Sequence, residues 1–109
     1  MPDISIKIEP ETNLIKCEIT PKNSILVDFF ESDIQGDTAF IHFLYQSIDK
    51  LTNDIFEING NAHNLSLSKS VYKVTPLYDT SNTWVMGPIS DFTFFLAEWE
   101  KILSSHKAS

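Results

Sequence analysis

Isoleucine recurs at every second position in two short runs near the start of the chain. Ile4, Ile6 and Ile8 alternate with Ser5, Lys7 and Glu9, and Ile15, Cys17 and Ile19 alternate with Lys16 and Glu18. Successive side chains of a strand point to opposite faces, so each run gathers its apolar set on one side. Pro10 and the run Glu11-Thr12-Asn13 supply a turn between them. The spacing predicts strands over Asp3–Glu9 and Leu14–Thr20, paired antiparallel through a short connection. Pro21-Lys22-Asn23 reads as a second turn. Ile25, Val27 and Phe29 repeat the alternation, which predicts a third strand over Ser24–Glu31 and a meander over residues 3–31.

The pattern then changes to a helical one. Asp37 follows Gly36 and precedes a run in which Phe40, Ile41, Phe43, Leu44, Tyr45, Ile48 and Leu51 cover a broad arc, with His42, Gln46, Asp49 and Lys50 opposite. A helix is predicted from Thr38 to Asn53, with Asp37 as its N-cap and its carboxylate at the positive end of the helix dipole. Short strands are expected at Ile55–Ile58, His63–Ser68, Val71–Thr75 and Thr83–Met86. Asn59-Gly60 reads as a type I′ turn, Lys69-Ser70 as another turn, and Leu77–Asn82 as a polar loop. Ser90 is a second cap candidate. Phe92, Phe95, Leu96, Trp99, Ile102 and Leu103 share one face of a predicted helix over Asp91–Ser104, and a frayed tail is expected from His106.

The expected fold is a single α+β domain over residues 1–109. It has a largely antiparallel twisted sheet of five to six strands and two helices packed on one face. Its core joins the isoleucine rows to Phe40, Leu44, Ile48 and Leu51 on one helix and to Phe92, Leu96, Trp99 and Leu103 on the other.

Charge narrows the function. Fifteen acids face eight lysines with no arginine, a net of −7. Residues 1–54 hold ten acids and four lysines (−6), and residues 55–109 hold five and four (−1). Nucleic-acid binding and polybasic membrane contact both need a cationic surplus, and the balance here is acidic with no arginine, so neither partner is expected. No apolar run reaches the roughly 20 residues of a membrane helix, and the N-terminus has no signal pattern, so a cytoplasmic protein is expected. The lone Cys17 forms no disulfide within the chain and sits where a strand buries it.

No catalytic constellation emerges. His42, His63 and His106 are scattered, with His42 on a polar helix face and His63 read as a turn residue beside Asn61 and Asn64. There is no zinc spacing, no nucleophile elbow and no phosphate-binding glycine loop. Asp28, Glu31, Asp33 and Asp37 lack the calcium-loop pattern. Expectation is therefore of a protein without enzymatic activity, metal or cofactor. The candidate partner-binding residues are that acidic stretch, Asp28, Glu31, Asp33 and Asp37, together with Tyr78, Trp84 and the off-face Phe94. Asp37 has a structural role as a cap, which leaves Asp28, Glu31 and Asp33 as the sharper candidates.

The order of elements, with Asn64-Leu65-Ser66-Leu67, Val71-Tyr72-Lys73-Val74 and Gly87-Pro88-Ile89-Ser90-Asp91-Phe92 followed by Trp99, resembles the YacL-like family of small bacterial proteins. That resemblance carries no catalytic motif and implies a housekeeping structural or small-ligand-binding protein. In size, acidity and lack of chemistry the chain also resembles immunity proteins of contact-dependent inhibition and related toxin systems. This second resemblance implies binding and neutralisation of a basic toxin domain, such as a nuclease, through the acidic surface.

Overall fold

The computed structural model describes residues 2–52, 54–78 and 83–108, with side chains to residue 105. It is α+β, with two antiparallel sheets and three α-helices. The first sheet is the expected hairpin: β1 (Asp3–Ile8) pairs with β2 (Ile15–Thr20), placing Ile4 opposite Ile19, Ile6 opposite Cys17 and Ile8 opposite Ile15. Asn13, in the left-handed region at φ 57°, turns the chain between them.

The expected third strand is a helix. Ser24–Asp28 forms α1 and continues without a break into a π-helical segment, Phe29–Ile34. Ile25, Val27 and Phe29 do alternate, but Leu26, Phe29, Phe30 and Ile34 are the residues that are buried, and their spacing is helical. Asn23 favours this outcome by accepting the Leu26 N–H as an N-cap. The wider π turn brings Phe29, Phe30, Asp33 and Ile34 to the same inward side. The segment stops at Gln35, whose φ of 39° breaks the helix. Residues 3–31 therefore make a hairpin and a helix rather than a meander.

Asp37 caps α2 (Thr38–Asp49) as expected, its Oδ1 accepting the Phe40 N–H at 3.0 Å. The helix ends before the predicted limit, and Asn53 lies outside the described residues. The second sheet runs β3 (Phe56–Asn59), β4 (His63–Leu67), β5 (Val71–Pro76) and β6 (Val85–Pro88) in simple order. The connection after β3 is a three-residue loop in which Gly60 N–H donates to His63 C=O, and no described glycine has a positive φ. A type I′ turn is thus absent from it. Lys69-Ser70 makes the tight turn, with the Ser68 hydroxyl accepting the Ser70 and Val71 N–H groups. Asp79–Asn82, expected as a loop, lies outside the described residues.

The last helix, α3 (Ile89–Ala108), starts straight from β6, one residue before the expected Ser90 cap, and its backbone continues through the expected tail. Both α1 and α3 touch strands of both sheets, and α2 packs on the π segment and α3. The helices therefore join a two-stranded and a four-stranded sheet instead of lying on one face of a single sheet. Phe29, Phe30, Phe92 and Trp99 form the aromatic centre of the core, with Phe30 and Trp99 ring centroids 5.4 Å apart. The Trp99 indole N–H donates to the Gln35 carbonyl at 2.7 Å, which satisfies the one polar atom of a fully buried ring.

Candidate functional site

Asp33 is the least expected feature of the acidic stretch. The π turn aims its side chain inward, under the loop between β3 and β4. Its carboxylate accepts the backbone N–H of Ala62 at 3.2 Å and of His63 at 3.0 Å, and the Ser32 hydroxyl at 2.9 Å. Its Oδ1 also lies 3.2 Å from His63 Nδ1. Burial works against the charge on Asp33. Hydrogen bonds from His63, Ser32 and Ala62, with the charge interaction with His63, outweigh it and hold the carboxyl below the usual range. A charged carboxylate makes Nδ1 the protonated ring nitrogen, so Nδ1 donates. Gly60 passes so close that a Cβ there would collide with the Asp33 carboxylate.

Glu31 also has a structural task. β2 is an edge strand, and Glu31 and Gln35, one turn apart, close its open side. Glu31 accepts the Cys17 N–H at 2.9 Å, and the Gln35 amide accepts from Ile15 N–H at 2.6 Å while donating to Ile15 C=O at 3.2 Å. Lys16 Nζ stands 3.7 Å from Glu31. Burial, reinforced by the Glu31 charge, pushes the Cys17 thiol up to about 12, which makes it an inert core thiol, as its place in the alternation implies.

The four carboxylates therefore do not form one exposed patch. Asp33 is enclosed, Glu31 is half-buried against β2, and Asp37 caps α2. Asp28 alone stays exposed with no partner among the described residues. It shares a site with another expected residue: Asp28 and Tyr78 line a common open cleft of about 680 Å³ with Ser24, Ile25, Ala62, His63, Pro76 and Thr83. α1 forms one wall. The other is formed where β4 starts and β5 ends, which the Leu77 N–H to Ala62 C=O bond holds together at 2.9 Å.

His63 starts β4, as the strand expected over His63–Ser68 implied, but it is not the turn residue it was also read as: it is buried and lines this cleft. Its ring meets Phe29 edge-on at 6.0 Å. The signal for this was present. His63, Leu65 and Leu67 form one period-2 row, and Asp33 falls on the buried side of a helical reading of residues 26–34.

The remaining aromatic candidates are exposed but separate. Tyr78 is 81% exposed, Trp84 53% and Phe94 40%. Lys73 Nζ lies 4.9 Å from the Trp84 ring, so one face of that indole is already used within the chain. Phe94 leans on Phe95 on α3, and no ring contact among the described residues links it to Tyr78 or Trp84. His42 Nε2, on the polar face of α2, lies 3.5 Å from a Glu100 carboxylate oxygen.

Among the described residues no group of three His, Cys, Asp or Glu side chains is placed to hold a metal, and no helix is long and apolar enough to cross a membrane. Comparison with protein families finds no match, and comparisons with curated proteins and with solved structures find none either.

Proposed function

We propose that the chain is a non-catalytic, cytoplasmic binding protein whose partner is a basic protein domain, in the manner of an immunity protein that neutralises a toxin. The observation that carries this reading is the open cleft lined by both the exposed Asp28 and the exposed Tyr78, in a chain of net charge −7 without arginine. An acidic surface attracts a cationic partner and speeds its docking, and an exposed tyrosine supplies contact area at low entropic cost. The acidic stretch contributes through Asp28, with Asp37 at a distance as part of the long-range field. Glu31 and Asp33 serve the fold. Surface plasmon resonance with the product of the neighbouring gene tests the proposal. Association that slows as salt rises supports it, and an unchanged rate counts against it.

A housekeeping, small-ligand-binding protein of YacL-like type is the second reading. The feature in its favour is a second groove between β2 and α1, which shares Ser24 and Asp28 with the first cleft and adds Cys17, Ile19, Val27, Glu18 and Lys22.

A further inference from the structure

The cleft has a chemistry more specific than general acidity. Its charged lining among the described residues consists of Asp28 alone, with Asp33 directly behind His63. The neighbouring grooves differ in this respect. One mixes Lys22 with Glu18 and Asp28, and another mixes Lys7 and Lys16 with Glu9, Glu18 and Glu31. At the cleft floor, His63 Nδ1 lies 3.2 Å from Asp33 Oδ1, so Asp33 engages that nitrogen and not Nε2. No partner for Nε2 occurs among the described residues, and no buried side-chain nitrogen or oxygen there lacks a hydrogen bond. The lining thus combines the Asp28 carboxylate, the His63 ring, the Tyr78 ring, and the apolar side chains of Ile25 and Pro76.

We infer that this cleft is an anchor socket for one arginine side chain of the partner. A guanidinium presents several N–H donors in a rigid plane, so it can reach a carboxylate and a second acceptor together while its flat face lies against an aromatic ring. Asp28 takes the charge, His63 Nε2 takes a second N–H, and Tyr78 covers the plane. A phosphate or carboxylate ligand would meet repulsion at Asp28 and find no cation among the described lining residues. The inference rests on the basic-partner reading and adds the residue type that enters and where it lodges.

Titration of the isotope-labelled protein with arginine amide, lysine amide and the uncharged isostere citrulline amide, followed by NMR, tests it. The expected result is a response to arginine amide at the backbone amides of Asp28, Ala62 and His63 and at the His63 Nε2 resonance, with citrulline amide nearly silent. Asp28→Asn and Tyr78→Ala change exposed residues, so the fold survives, and Asp28→Asn weakens the arginine response about fivefold, the upper range for an exposed ion pair. Equal responses to arginine and citrulline amides, a stronger response to lysine amide, or an affinity unmoved by Asp28→Asn would overturn the socket. If arginine amide perturbs only acidic residues elsewhere, the socket is wrong and the basic-partner reading stands. If the cleft responds as expected and the neighbouring gene product does not bind, the socket stands and that reading fails.

Discussion

Asp33 and His63, 30 positions apart, are joined twice: Oδ2 accepts the His63 backbone N–H at 3.0 Å, and Oδ1 lies 3.2 Å from the ring Nδ1. The pair fastens the π turn to the start of β4 and fixes which ring nitrogen Asp33 holds. Replacing Asp33 with Asn keeps the shape but removes the charge that attracts these donors. The expected loss is about 1.5–3 kcal/mol, the range for a hydrogen bond to a charged group. It should appear as a lower urea midpoint with an unchanged slope. A midpoint equal to wild type would show that the pair does not hold the fold together.

The same carboxylate makes stability depend on acid. Its folded value lies below the usual one, so the folded chain binds fewer protons at Asp33 than the unfolded chain does. The contribution is complete above the unfolded carboxylate value of about 3.9. It is lost as pH falls through the lower folded value. Urea midpoints measured downward from about pH 6 should fall more steeply at the acid end for the native chain than for Asp33→Asn. Parallel curves would assign the acid sensitivity to other groups.

Much of the fold was legible because period-2 rows with short turns leave few alternatives. The β1–β2 hairpin, the β4–β5 hairpin and the Asp37 cap follow from such local rules. The segment after Asn23 was ambiguous because Ile25, Val27 and Phe29 satisfy a strand while Leu26, Phe29, Phe30 and Ile34 satisfy a helix. β-branched residues tilt a local reading toward the strand, and tertiary burial decided for the helix. The division into two sheets follows from that change, since a helix now stands where a third strand would have linked them. The candidate site was half legible. Acidity and aromatic exposure pointed to Asp28 and Tyr78. A helical reading of residues 26–34 puts Asp33 on the buried side, but its partners lie on a loop far along the chain that leaves no local mark on an acidic run.

Closure of the β2 edge by Glu31 and Gln35 predicts a linked loss of stability and thiol protection. Glu31→Ala leaves the Cys17 N–H without its acceptor, at about 1 kcal/mol. It also removes the charge that reinforces the burial of the thiol. Cys17 in the native chain should react very slowly with an aromatic disulfide reagent at pH 8, and Glu31→Ala should react faster. If the two rates match, Glu31 does not guard that edge.

Gly87 faces Tyr72 across the β5–β6 pair, and a Cβ there would stand 3.0 Å from the Tyr72 ring and 3.1 Å from its hydroxyl. Tyr72 is buried against Phe92 with ring centroids 5.5 Å apart, so it has little freedom to move aside. Gly87→Ala should cost about 1–3 kcal/mol through overpacking. Thermal unfolding followed by near-ultraviolet circular dichroism reads both the loss and the displaced ring. An unchanged melting temperature would mean that the ring shifts freely.

The central claim is that a basic partner docks on the cleft shared by Asp28 and Tyr78. Stopped-flow association with the neighbouring gene product, for the native chain, Asp28→Asn and Tyr78→Ala, tests it most directly at about 0.02 M and about 0.5 M salt. Native association should be fast at low salt and slow at high salt, Asp28→Asn should associate more slowly and depend less on salt, and Tyr78→Ala should mainly dissociate faster. Association and dissociation rates that are the same for all three proteins at both salt concentrations would contradict it.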